Sequence, residues 1–194
     1  MARTLITAPT EEPVTVAEAK AHLRVYFDDD DTLIGNQIAA ARQDLEKRLL
    51  NSALVTQTWD YYLDAFPTTN TMKLPLPPLQ SVTSITYTDQ DGNSSTFSSG
   101  SYTVDAISKP GRIVLNAGES WPSDTLQVVN GVVVRFVAGY GAATAVPQAI
   151  KQGLMLLLGD MYEIREASVV GQGFSVITTD LVRNLTRDYR HKEF

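Results

Sequence analysis

Residues 132 to 154, VVVRFVAGYGAATAVPQAIKQGL, set an apolar run, two glycines and a helix-like segment in the order of a phosphate-binding loop. In such loops, glycine-exposed backbone and helix N-terminal N–H groups together cradle an anion. The positions after the glycines do not support that chemistry. A Walker-type loop needs Lys and then Ser or Thr directly after its last glycine. Here Gly141 is followed by Ala142, Ala143 and Thr144, and no lysine comes before Lys151. The dinucleotide fingerprint needs a third glycine where Thr144 stands. A strand exit at Gly139 and Gly141, with a helix start at Pro147, accounts for the segment without a ligand.

Asp28 to Asp31 form the densest carboxylate cluster. A calcium loop begun at Asp28 needs glycine at its sixth place and glutamate at its twelfth, where Leu33 and Ala39 stand. These acids suit instead the N-terminus of a following helix, whose dipole favours negative charge. Asp89-Gln90-Asp91-Gly92 reads as a hairpin turn. His22 and His191 are the two histidines, with no H-x-x-x-H pairing and no G-x-S-x-G elbow to supply a nucleophile. There is no cysteine, which removes disulfides, thiolate zinc sites and Cys nucleophiles together. No catalytic, metal or cofactor-binding residue is assigned, and no cofactor is expected. Trp59, Tyr61, Tyr62 and Trp121 could stack on sugars or bases, but at strand spacing such rings are more often core or interface. Pro75 and Pro78 match a PxxP ligand, yet strand-like sequence on both sides makes them shapers of a loop.

The elements that would position these residues follow from periodicity. The 194 residues, 43% apolar and 20% charged, are ample for a folded core. The net charge of -6 argues against a surface built to grip phosphate backbones. The N-terminus lacks the apolar stretch of a signal peptide, and Leu154 to Leu158 is too short to cross a bilayer, so synthesis in a cytoplasm is expected. Thr15 and Glu18 form a capping box ahead of a short helix to about Val25. Leu33, Ile34, Ile38, Ala41, Leu45 and Leu49 recur at helical spacing. After Asn51 the period falls to two: ALVTQTWDYYLDAF, SVTSITYTDQDGNSSTF with its DG turn, SYTVD, GRIVL and a long LQVVNGVVVRFVAGY read as strands. Polar residues 93 to 101 mark an exposed loop or weakly specified edge. From Pro147, Ile150, Leu154, Leu157, Leu158, Met161, Tyr162 and Ile164 restore a helical face. A loop follows from Arg165, and Thr179 caps a final helix that ends basic, with Arg183, Arg187, Arg190 and Lys192. The fold class expected is α+β: a helical core of residues 1–51 and 141–194 with an inserted β-rich block, residues 52–140.

In series, VTVAEAKAHLRV, DDDDTLIGNQIAAARQDLEKRL, ALVTQTWDYYLDAFP, KLPLPPLQSVTSITYTDQDG, YTVD, PGRIVL, WP, VVVRFVAGYG, VPQAIKQGLMLLLGDMYEIRE and a closing YR resemble the head-tail connector, or adaptor, proteins of long-tailed bacteriophages, prophages and gene transfer agents. The resemblance implies a structural virion protein at the neck, made in the bacterial host cytoplasm. It implies a ring of about twelve copies under the portal protein, with a stopper or tail completion protein on the tail side. Genomic DNA would pass through without specific binding, no membrane would be involved, and the isolated chain could be a monomer. The C-terminal element would dock on the portal through Leu181, Leu185 and Tyr189 as an apolar stripe and Arg183, Arg187 and Arg190 as partners for carboxylates. Truncation after Thr178 would then abolish attachment and leave the core folded. Asp28, Asp29, Asp30 and Asp31 are candidates to face the channel, where reversal to lysine would slow DNA ejection. Two other readings stand beside this one: a β-rich tail or baseplate module that binds glycans through its aromatics, and a hydrolase built around His22 or His191.

Overall fold

The computed structural model describes residues 2–164 and 177–191; the expected loop after Arg165 and the basic Lys192 lie outside them. The architecture is α+β, with four α-helices and two antiparallel sheets among the described residues, in keeping with the periodicities.

Helix α1 (Val16–Leu23) opens on the expected capping box: Glu18 N–H donates to Thr15 Oγ1 at 3.1 Å, and Thr15 N–H donates to Glu18 Oε2 at 2.7 Å. It stops where Arg24 turns left-handed. Helix α2 (Asp31–Asp44) continues into a six-residue π segment, Leu45–Leu50, which the helical spacing did not reveal. Its wider winding turns Leu45, Glu46, Leu49 and Leu50 all inward. Helix α3 (Gln148–Glu163) follows Pro147, whose missing N–H costs nothing at a helix start. Helix α4 (Ile177–Leu185) begins two residues before the expected cap, so Thr179 sits inside it. Gly153 of α3 lets α4 come close. A Cβ there would lie 3.1 Å from Thr186 Cγ2 and 3.3 Å from Val182 Cγ1.

The larger sheet has strand order β1-β2-β8-β4-β5, and the smaller β3-β7-β6. These are β1 (Ala2–Thr7), β2 (Gln57–Leu63), β3 (Thr71–Lys73), β4 (Leu79–Thr88), β5 (Ser94–Thr96), β6 (Tyr102–Asp105), β7 (Arg112–Leu115) and β8 (Val132–Ala138). Two results differ from the sequence reading. Residues 2–7, for which no element was expected, pair with β2 as an edge strand. The expected long strand from Leu126 contracts to Val132–Ala138, because left-handed Asn130 and tightly packed Gly131 break it. The DG turn forms as read: Asp89 Oδ1 accepts the N–H groups of Asp91 and Asn93, and Gly92 takes a φ of +85°.

Apolar side chains gather in two clusters. One joins Ile34, Ile38, Leu45, Leu50, Ile150, Leu154, Leu158 and Val182 of the helices. The other joins Met72, Leu74, Ile85, Ile113, Val132, Val134 and Phe136 of the sheets. Each such side chain contributes about 1.5–3 kcal/mol by burial.

Polar groups tie the clusters together. Glu46, in the π segment, accepts the Leu54 N–H at 2.8 Å and the Gln57 Nε2 donor at 2.6 Å, while its other oxygen takes Arg42 Nη1 at 2.8 Å. Arg42 also donates from Nε to Glu12 at 2.7 Å. Gln57 opens β2, so the helical core and the large sheet meet at this carboxylate. On the sheet, buried Asp60 accepts two 2.8 Å bonds from Arg135, directly opposite in the ladder.

Removal of a buried ionic partner leaves its mate uncompensated. Glu46→Ala is expected to cost about 3–5 kcal/mol in urea unfolding. Asp44→Ala, which loses the more exposed pair to Arg48, should cost about 0.5 kcal/mol; equal losses would contradict the assigned role. Gly139 has a φ of +121°, and a Cβ there would stand 2.3 Å from the Val55 carbonyl oxygen. Gly139→Ala should therefore lose more than about 4 kcal/mol. Gly92→Ala, in open space, should lose about 1–2 kcal/mol. Similar thermal midpoints for the two variants would be the contrary result.

Candidate docking surface

Four backbone groups of the Gly139–Gly141 segment are committed within the chain. Gly139 N–H donates to the Pro78 carbonyl at 2.9 Å, and its own carbonyl accepts from Gln80 Nε2 at 2.9 Å. Tyr140 N–H donates to Leu54, and the Gly141 carbonyl accepts from Thr56. Where an anion would sit on the following turn, Ala143 N–H holds the Glu11 carboxylate at 3.0 Å. This is a strand-to-helix connection in which Gly139 allows close backbone approach.

Asp28 to Asp31 do not act as one patch. Lys20 Nζ bridges Asp28 and Asp31 at 2.6 Å each, and the first of these bonds holds the Asp28 carboxyl below the usual carboxylate range. Asp30 stands at the N-cap of α2 without capping it by its side chain, and instead accepts the Tyr162 hydroxyl at 2.6 Å. Asp29 is exposed. Among the described residues, no group of three or more His, Cys, Asp or Glu could hold a metal ion. No helix among them is long and apolar enough to cross a membrane. Trp121 stacks on Phe66 with centroids 5.3 Å apart, and Trp59 packs against the sheet cluster.

The C-terminal element presents two faces. Val182 and Thr186, four apart, are buried over α3, and the Thr186 hydroxyl donates to the Val182 carbonyl at 2.7 Å. On the outer side, Leu181 and Leu185 keep 49% and 37% of their surface exposed. Arg183, Arg187 and Arg190 are exposed, with Arg183 3.6 Å from Asp180. Tyr189 is half-buried against the helical core. The chain then returns to α2's π segment, where His191 N–H donates to the Leu50 carbonyl at 2.9 Å. The face of Val182 and Thr186 changes the expected result of truncation: cutting after Thr178 strips cover from α3, so loss of docking and loss of folding would not separate.

Sequence reasoning missed an open cleft of about 620 Å³, bounded by Ala2 and Arg3 of β1, Tyr61 and Leu63 of β2, and Met72 and Lys73 of β3. Its walls come from segments far apart in the chain, so no local pattern announces it.

The profile of the phage gp6-like head-tail connector proteins matches residues 13–109, half of this chain. No curated protein sequence matches it. A chain in the neck of an empty gene transfer agent (GTA) particle, computed with C6 symmetry, is similar in fold, with a TM-score of 0.80 and 22% identity over 100% of this chain and 97% of that one. A chain in the virion of a native GTA particle gives 0.78 and 22% over 100% and 97%. A chain in the neck of a native GTA particle, computed with C12 symmetry, gives 0.77 and 23% over the same shares.

Two outcomes follow for the C-terminal element. Leu181→Glu should move stability by less than about 0.5 kcal/mol, whereas Val182→Asp, which buries an unpaired charge, should cost several kcal/mol; equal effects would show the faces are misassigned. Burial first, and nearby Lys109 second, hold the His191 imidazole below its ordinary pKa. The unfolded chain then binds more protons, so stability present above the ordinary histidine value falls as the pH drops toward the folded one. His191→Gln should flatten the dependence of the unfolding midpoint on pH below about 6.5. An unchanged slope would contradict this.

Proposed function

Because the chain belongs to the phage gp6-like head-tail connector proteins, we propose that it is a structural neck component that joins a DNA-filled capsid to its tail as a ring beneath the portal. The observation that carries this reading is the family match, together with a fold shared over the whole chain with neck proteins of GTA particles. The role is structural and not enzymatic. Residues 1–51 and 141–194 would form the connector core and residues 52–140 an insertion in it, which β1 clamps by joining the insertion's sheet. The outer face of α4 and its continuation, Leu181, Arg183, Leu185, Arg187 and Arg190, with half-buried Tyr189 at its edge, would dock on the portal: its leucines would fill apolar hollows while the arginines pair with carboxylates. A stopper or tail completion protein would take the opposite end. Asp29, and Asp28 beyond its bond to Lys20, would turn toward the channel, where negative charge repels DNA phosphates and lets the genome slide. The glycan-binding reading is not favoured, since Trp121 and Trp59 serve the sheet core.

The test is co-sedimentation of the purified chain with its cognate portal protein. Stoichiometric binding is expected, and the Leu181→Glu/Leu185→Glu variant, folded by circular dichroism, should lose it. Wild-type binding with full retention by the variant would move docking elsewhere. Absence of wild-type binding at every salt concentration would overturn the portal partnership.

A further inference from the structure

The cleft described above runs between two strand edges, β1 of the larger sheet and β3 of the smaller. Its walls are mostly apolar, and its charged members are the two cations Arg3 and Lys73, with no carboxylate among the lining residues. Arg3 donates to Asn51 Oδ1, which fixes one side of the opening. On the other side of segment 64–67 stands the loop that the sequence reads as strand. Val128 and Val129 are 86% and 63% exposed there. The hollow beside the loop is lined by Asp64, Asp124 and Val128, with no cation among its residues. Ala65 lines both the cleft and this hollow. One molecule thus carries an apolar recess with cations at its rim and, across one short segment, an apolar projection with Asp124 beside it and Asp64, which accepts the Asn130 N–H, at its base.

We propose that the Val128–Val129 loop of one copy seats in the cleft between β1 and β3 of the next, and that this is a ring contact. Apolar surface exposed to this degree is what an interface covers. Opposite charge at the rims, Asp124 and Asp64 against Lys73 and Arg3, sets the orientation. Recess and projection are different surfaces, so a head-to-tail contact lets every copy both give and receive, which is the kind of contact that a ring repeats. The loop is bent, with Gln127 Nε2 donating to the Val129 and Asn130 carbonyls, so its two valines project as a knob. The inference rests on the ring reading above.

The absence of native cysteine makes the test specific. Particles assembled with the Lys73→Cys/Val128→Cys chain are treated with a short bismaleimide and resolved on denaturing gels. A ladder of dimers and higher multimers is expected for the double variant and none for either single one. No ladder in particles that contain the double variant overturns the contact. Absence of the wild-type chain from particles overturns the connector reading and the contact with it. Should the cysteine chain fail to enter particles, charge decides: Asp124→Lys should lower incorporation about tenfold and Lys73→Glu should restore it. Failure of the swap to restore incorporation overturns the proposal.

Discussion

The Glu46 carboxylate is the point on which the molecule turns. A buried charge is tolerated only when its partners fill its hydrogen-bonding capacity, and Glu46 meets that condition with donors from three places: Arg42 on its own helix, the Leu54 N–H and the Gln57 side chain. Burial still holds its carboxyl above the usual range, against the pull of these donors. The geometry needs the π segment, which turns Glu46 inward beside Leu45, Leu49 and Leu50. Since Gln57 starts β2, and β2 lies between β1 and β8, this side chain links the large sheet to the helices, alongside backbone bonds such as Tyr140 N–H to Leu54.

Around that point the two apolar clusters divide the work. The helical cluster holds α4 by Val182 and the narrow crossing at Gly153, leaving Leu181, Arg183 and Leu185 outside. The sheet cluster supports the exposed 126–131 loop and the cleft from within, through Phe66, Leu126 and Met72. Rigid backing of exposed apolar surface is what a subunit needs when it must meet several neighbours in fixed geometry. In an otherwise acidic chain, Arg183 of α4 and Arg187 and Arg190 of its continuation are all exposed, which suits contact with carboxylates of a partner.

Features governed by short-range rules were legible in the sequence: the Thr15–Glu18 capping box, the Asp89–Gly92 turn, the period-two stretch at β2 and the apolar face of α3. Those that depend on distant partners were not. The N-terminal ARTLIT has no pattern that announces a strand until β2 offers its edge. Arg42 and Glu46 look like an ordinary exposed i,i+4 pair, and only the tertiary fold buries them. LQVVN reads as strand by residue type, yet Asn130 and Gly131 break it, and what remains is a single bridge of Leu126 to Asp89. The candidate C-terminal face was half legible: the leucines and arginines showed at helical spacing, while the role of Val182 and Thr186 against Gly153 required the packed pair of helices.

The most direct test of the neck assignment is electron microscopy of particles in which a compact protein tag is inserted at the exposed 90–92 turn, a site where added chain is tolerated. The connector reading predicts added density repeated around the neck, between capsid and tail. Density at the tail tip, along the tail or on the capsid shell would contradict it.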